Sequence, residues 1–359
     1  MDRVAAFVLY SDSDFGGAER RLIRIYNQIA KQKRVHLIVR GSDEALFLKR
    51  LEKADCCVDN IERIIFFHDN LRCLMSLLLN YSYETFHFFD LCGFNKKLAY
   101  ISSLLRKKTI LTVAYQNYAY GIIDDSEKKR LSKLLDACSV IDVLFPAGEE
   151  YFKSISNNKN ITVTPGTFTD LQLFRPGNKE RIILFAAARL EKDKNAMLLV
   201  EAINLIKNEI RLNQYRIIIC GQGFEENTLK ARIKEYKIED VVEMPGYVKV
   251  SEIFPKAELF TCLDLIDNYP SQTIAEAAAC GCGLLLTDVG YSRRCGNDSF
   301  CYFVDNNANE LAKSILEYIS SSESEKNDLA KKARKFAEER YSIESSVTYF
   351  TKLIEEDFK

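Results

Sequence analysis

The chain has 359 residues, 47% hydrophobic and 28% charged, with a formal net charge of −1. That length exceeds what one hydrophobic core usually serves, so two domains are expected, and the near-neutral charge excludes a dedicated nucleic-acid binder. Eleven cysteines spread over this length do not form a disulfide framework, and Cys280-x-Cys282 lacks a second pair at zinc spacing. Most are expected to be buried free thiols in a reducing compartment, the cytoplasm. The opening Met-Asp-Arg-Val-Ala-Ala-Phe-Val-Leu-Tyr is too short an apolar run for a signal peptide and reads as a first strand. No stretch reads as a membrane span.

In chain order, strands are expected at Val4–Leu9, Val35–Val39, Ile64–Phe67, Thr85–Phe89, Ile110–Ala114 and Val140–Phe145. Helices are expected between them at Ala18–Ala30, where Leu22, Ile25, Tyr26 and Ile29 recur at helical spacing, and at Ala45–Lys53, Leu71–Leu79, Lys96–Arg106 and Glu127–Ala137. The segment Val163–Gly177 breaks the rhythm. It holds two of the six prolines and two of the fifteen glycines, and reads as a linker.

Alternation then resumes. Strands are read at Ile182–Ala186, Tyr215–Cys220, Val241–Met244, Leu259–Cys262 and Leu284–Leu286, and one more at Cys301–Val304. The helices are Ala196–Lys207, Glu225–Tyr236, Ser251–Lys256 and Ile274–Cys280, followed by an all-helical tail of Asn309–Ser320, Glu323–Arg340 and Ile343–Glu356. Strands alternating with helices predict parallel α/β sheets, with ligands at the carboxyl ends of the strands.

The stretch Asp267–Asp288 carries the strongest chemical signal. A polar loop leads through Pro270 and a candidate N-cap, Ser271, into a helix of small residues whose one acid is Glu276. A helix start offers N–H donors to phosphate, and a carboxylate accepts from sugar hydroxyls. Gly16-Gly17-Ala18-Glu19 after the first strand allows close backbone approach, although a plain strand-to-helix turn explains it equally well. Asp12-x-Asp14 has the form of a metal pair, but the pattern is common and no metal is expected. Arg189 and Lys194 bracket a loop where two cations could clamp a diphosphate; a solvated charged loop is the plainer alternative. Gly221-Gln222-Gly223 and Pro245-Gly246-Tyr247-Val248 are backbone turns of low specificity.

Taken together and in this order, these pieces resemble the family 4 retaining glycosyltransferases of the GT-B fold (glycosyl transferases group 1). The resemblance covers the second half nearly end to end and the first half mainly at its start. It implies two Rossmann-like doubly wound α/β domains facing a central cleft, with a helical C-terminal tail. Residues 1–165 would bind the acceptor, 166–178 would link, 179–341 would bind the donor, and 342–359 would cross back to the first domain.

The resemblance also implies a function: transfer of a sugar, with retention, from a UDP- or GDP-linked donor to a saccharide or lipid-linked saccharide in surface polysaccharide or glycolipid biosynthesis. Glu276 would accept from the ribose, Arg189 and Lys194 would hold the diphosphate, and amides near Gln272 and Thr273 would assist. Gly16 and Gly17 would line the cleft, Gly221 would sit by the donor, and Val248 by the base. No cofactor or metal is implied.

There are departures from the pattern. Eight residues before Glu276 stands Asn268 instead of an acid, with Asp267 one position further, so either fills the place that meets the donor sugar. Tyr115-Gln116-Asn117 stands where a histidine is usual, and Tyr291-Ser292-Arg293-Arg294 replaces a glycine and an acid. Arg293 and Arg294 either supply further phosphate contacts or lie on the surface. These departures support an alternative, a catalytically weakened sugar-nucleotide-binding scaffold. An epimerase-like enzyme is disfavoured by the lack of a dinucleotide glycine fingerprint. His87 reads as a packed core histidine. Residues 1–165 carry 24 basic against 20 acidic side chains. That excess is either a solvated face or a peripheral contact with an anionic membrane at its inner face.

Overall fold

The computed structural model describes residues 4–9, 17–40, 43–53, 56–67, 83–89, 93–114 and 121–356. The helix expected at 71–79, the Asp12-x-Asp14 pair, Gly16 and Tyr115-Gln116-Asn117 lie outside them. The chain divides into two compact units, residues 1–165 with 343–359, and residues 166–342.

The first unit holds a parallel sheet of β1 (Val4–Leu9), β2 (Arg34–Arg40), β3 (Arg63–Phe67), β4 (Tyr83–Phe89), β5 (Lys108–Val113), β6 (Val140–Val143) and β7 (Ile161–Val163). Its order is β3-β2-β1-β4-β5-β6-β7. Around it run α1 (Gly17–Ile29), α2 (Glu44–Lys53), α3 (Gly93–Leu104), α4 (Asp125–Ala137) and α5 (Pro146–Ile155). The strands are apolar runs because helices cover both faces of such a sheet. In α1, Leu22, Ile25, Tyr26 and Ile29 are buried at helical spacing, and Tyr26 stacks on Phe7 at 4.4 Å.

The terminal helix of this unit, Ile343–Glu355, packs on α1 and buries Phe350 completely. It also gives Tyr349, whose hydroxyl donates to the buried carboxylate of Asp142 at 2.6 Å. Thr112 Oγ1 donates to the other oxygen at 2.7 Å. Burial raises the Asp142 carboxyl above its usual range, and these two donors oppose the shift. His87 is indeed a core residue: its Nδ1 faces Tyr26 Oη at 2.5 Å and its Nε2 faces Thr112 Oγ1 at 2.7 Å. Burial pushes it down to about 3, so it is neutral.

The second unit repeats the plan with β8 (Glu180–Arg189), β9 (Arg216–Gln222), β10 (Val242–Gly246), β11 (Ala257–Cys262), β12 (Gly283–Thr287) and β13 (Cys301–Val304), ordered β10-β9-β8-β11-β12-β13. Its helices are α6 (Ala196–Leu205), α7 (Lys207–Leu212), α8 (Glu226–Tyr236), α9 (Val250–Ile253), α10 (Gln272–Ala279), α11 (Ala308–Ser320) and α12 (Glu323–Arg340). Alternate β8 residues feed opposite core layers, Ile183 and Phe185 to one, Ile182 and Leu184 to the other. The small residues of α10 matter for packing. Ala275, Ala277, Ala278 and Ala279 are fully buried, so the helix lies close against β12 and α12.

Several expected boundaries move. Met244–Gly246 completes a strand instead of forming a turn, and the helix expected at Ser251–Lys256 is the short α9. The helix expected at 196–207 ends at Leu205, with α7 following after a break at Ile206. Helix α5, which opens on Pro146, and the three-residue strand β7 were not expected. The described cysteines are free thiols, with Cys138, Cys220, Cys280, Cys282, Cys295 and Cys301 buried. No described helix is long and apolar enough to cross a membrane.

Candidate active site

In the second sheet the strand order reverses between β8 and β11, so the segments leaving their carboxyl ends part there and open a crevice. From β8 come Arg189 and a 3-10 turn, Lys192–Lys194. From β11 comes the loop that leads to α10. A backbone tie holds the two together, Leu265 N–H donating to Asp193 O at 2.8 Å, and Thr287 Oγ1 at the end of β12 donates to Asp264 O at 2.7 Å.

On this frame Lys194 and Asn268 converge. Lys194 Nζ donates to Asp264 Oδ1 at 2.8 Å, and Asn268 Nδ2 donates to Asp264 Oδ2 at 2.8 Å. The Asp264 side chain is 6% exposed and that of Lys194 24%, so the carboxylate is buried while the ammonium reaches the surface. Cys262 Sγ lies 3.0 Å from Asp264 Oδ2, and burial, with this carboxylate beside it, pushes the thiol well up. Asp264 was not singled out in the sequence. The available signal was an acid two residues past a strand end at a switch point, which requires the strand order to be known.

A second cluster occupies α10. Gln272 Nε2 donates to Glu276 Oε1 at 3.0 Å, one helical turn on, and Thr167 Oγ1 donates to Gln272 Oε1. Among the described residues the Glu276 carboxyl has no cation partner, and burial pushes it up to about 7, against the one hydrogen bond from Gln272. The helix start is open. Ser271 sits at the N-cap, but its hydroxyl meets Thr273 Oγ1 at 3.2 Å and accepts from no helix amide. The expected side-chain cap is therefore absent, and the first-turn amides keep their donors for another acceptor. The hydroxyl is diverted because a neighbouring threonine competes for it.

The other candidates are placed as follows. Arg189 is 71% exposed and pairs with Glu191 at 3.1 Å, apart from the Lys194 cluster. Asp267 Oδ1 accepts from the amides of Tyr269 and Tyr291, both at 3.1 Å, which staples the loop. Gly290, at φ +53°, passes so close that a Cβ there would lie 2.4 Å from Asp267 Cβ. Gly221 has φ +133°, and a Cβ would lie 2.1 Å from Ala187 O, so it lets β8 and β9 converge at their ends. Val248 packs on the core layer beneath α10, and Gly17 opens α1 in the first unit. Arg293 is tied to Asp288 at 2.8 Å and Asp298 at 3.2 Å and stacks over Phe303; Arg294 lies over Tyr291.

Comparison with known proteins agrees with this geometry. Residues 170–336 match the model of the family described as Glycosyl transferases group 1. A Campylobacter jejuni protein named N-acetylgalactosamine-N,N'-diacetylbacillosaminyl-diphospho-undecaprenol 4-alpha-N-acetylgalactosaminyltransferase is 29% identical over 165 residues, 44% of this chain and 43% of its own length. The chain thus matches less than half of that relative. A second protein of the same organism, GalNAc-alpha-(1->4)-GalNAc-alpha-(1->3)-diNAcBac-PP-undecaprenol alpha-1,4-N-acetyl-D-galactosaminyltransferase, is 23% identical over 72% of each chain. Among solved structures, Anabaena HepE in complex with UDP superposes with a TM-score of 0.73 at 15% identity, covering 98% of this chain and 99% of that one. The chain therefore has the two-unit α/β GT-B fold, and residues 170–336 of its second unit are similar to the glycosyl transferases group 1 family.

Proposed function

We propose that this chain is a retaining glycosyltransferase that takes a sugar from a UDP- or GDP-linked donor and gives it to a saccharide or lipid-linked saccharide. The observation that carries the reading is the switch-point arrangement: a surface-reaching cation, Lys194, and an uncapped helix start followed by a desolvated acid, Glu276, which takes a hydrogen bond from Gln272 but no ion pair among the described residues. A cation and open amides suit a diphosphate; an acid without a cation suits hydroxyl donors. The Campylobacter relatives, whose names describe N-acetylgalactosaminyl transfer to undecaprenol-diphosphate saccharides, support a lipid-linked acceptor and surface-glycan biosynthesis.

In this mechanism Glu276 accepts from the ribose hydroxyls, Arg189 and Lys194 offset the charge that grows on the leaving diphosphate, and the first-turn amides of α10 share that load. Arg189 would have to swing from Glu191 to do so, and its exposure leaves it free to turn. Displacement on one face, with the leaving diphosphate taking the acceptor's proton, gives retention without a separate base. No metal is required, and EDTA should leave turnover unchanged. The excess of basic side chains in residues 1–165 suits an anionic membrane surface, where a lipid-linked acceptor would be met.

The test is nucleotide release from a panel of UDP- and GDP-sugars, with and without lipid-linked saccharide. Acceptor-dependent release is expected. Nucleotide binding without release would favour the scaffold alternative, and neither would refute the reading.

A further inference from the structure

Asp264 is the most heavily engaged buried carboxylate of the second unit, and nothing in the sequence pattern assigned it a role. Lys194 Nζ donates to Oδ1 and Asn268 Nδ2 to Oδ2, both at 2.8 Å, and the Cys262 thiol also reaches Oδ2 at 3.0 Å. Lys194 and Asn268 sit on different segments, one leaving β8 and one leaving β11. Its main chain is pinned by Thr287, and the neighbouring Leu265 amide ties the loop to the turn that bears Lys194. The carboxylate therefore cannot drift, and neither can the two groups it holds. Asp193 also faces Lys194, but at 3.9 Å, too far to fix the ammonium.

The chemistry of these partners sets a direction. An ionised carboxylate only accepts, so the end of the Asn268 amide that meets it must be the NH2. The carbonyl oxygen of Asn268 is then the end presented elsewhere. A neutral amide so held offers an acceptor, as a carboxylate would, without adding negative charge near a diphosphate. The ammonium keeps two further donors beyond the one given to Asp264. We propose that Asp264 is a positioning residue for the donor: it holds Lys194 for the diphosphate and turns Asn268 so that its carbonyl oxygen receives hydroxyls of the transferred sugar. This rests on the transferase reading above and extends it to sugar recognition.

The experiment compares full-length wild type with Asp264→Asn, reading kcat and KM for the UDP- or GDP-sugar that the wild type uses. The amide at 264 can itself donate, so it no longer dictates which end of Asn268 faces it. A fall in kcat/KM of about 100-fold is expected, the scale of a misplaced contact at a reacting centre. The same substitution made on Asn268→Ala should cost about tenfold less, because part of its route is already gone. A kcat/KM within twofold of wild type, or an equal loss in both backgrounds, overturns the proposal. A merely structural pair would lower the thermal midpoint and leave the kinetics of the folded protein unchanged, which also overturns it.

If Asp264→Asn does not fold, Lys194→Met with Asp264→Asn removes the orphaned charge and is compared with Lys194→Met alone. A further loss of about tenfold is expected there, and no further loss refutes the proposal. The two levels separate cleanly. A wild type that turns over while Asp264→Asn matches it refutes only this inference; a wild type that neither binds nucleotide nor turns over refutes the transferase reading and this one with it.

Discussion

The Glu276 carboxyl, pushed from about 4.5 to about 7 by burial on α10, makes the stability of the empty protein depend on pH in a defined window. Between those values the folded chain holds a proton that the unfolded chain has released. Stability from this group is thus complete below about 4.5 and is lost as pH rises through about 7. At about 1.4 kcal/mol for each pH unit the full cost at pH 8.5 is about 3 kcal/mol. Because the side chain is partly exposed, solvent screening reduces the expected figure to about 2 kcal/mol.

Glu276→Gln keeps the shape and the contact with Gln272 but cannot ionise. Urea unfolding followed by circular dichroism suits a chain without tryptophan. It should show equal stability for the two proteins at pH 4 and an advantage of about 2 kcal/mol for Glu276→Gln at pH 8.5. Parallel stability curves across that range would refute the reasoning, since the carboxyl would then be as well solvated folded as unfolded. Bound nucleotide should reverse the order. Ribose hydroxyls that donate to the carboxylate favour its ionised form, so the wild type's advantage in UDP affinity over Glu276→Gln should grow from pH 6 to pH 8.

Other expectations follow from the same contacts. Arg189→Ala removes an exposed side chain, so unfolding stability should stay within about 0.5 kcal/mol while donor turnover falls about 100-fold or more, as steady-state kinetics would show. Tyr349→Phe leaves one oxygen of the buried Asp142 without its donor and should destabilise the first unit by about 1–3 kcal/mol in urea melts. Gly221→Ala drives a Cβ to 2.1 Å from Ala187 O at a positive φ, and should lower the thermal midpoint by several degrees, with a stability loss of about 2–4 kcal/mol.

Much of this protein was legible in its residues. Parallel strands announce themselves as short apolar runs bounded by turn residues, so nearly every strand of both sheets was found, and the small-residue helix with its lone Glu276 was readable as a candidate site. These signals are local: period, capping residues and glycine spacing operate over a few positions. Local signals also mislead locally. Ser271 has the identity of a cap, yet its hydroxyl is claimed by Thr273. Gly221 looks like ligand-facing backbone, yet its missing Cβ first serves the convergence of β8 and β9.

Only the tertiary structure decided which side chains meet. Asp264 and Lys194 are separated by 70 positions and joined by the strand order that sets β11 beside β8, information that no periodicity carries. The same holds for Tyr349 on Asp142, which a helix at the far end of the chain brings to a strand of the first unit. The sequence by itself determined most of the elements and their α/β class, and named an acid and two cations as candidates for the site. Packing determined desolvation and pairing, and so which carboxylate is an ion-pair anchor, Asp264, and which has only the Gln272 amide beside it and is raised by burial, Glu276.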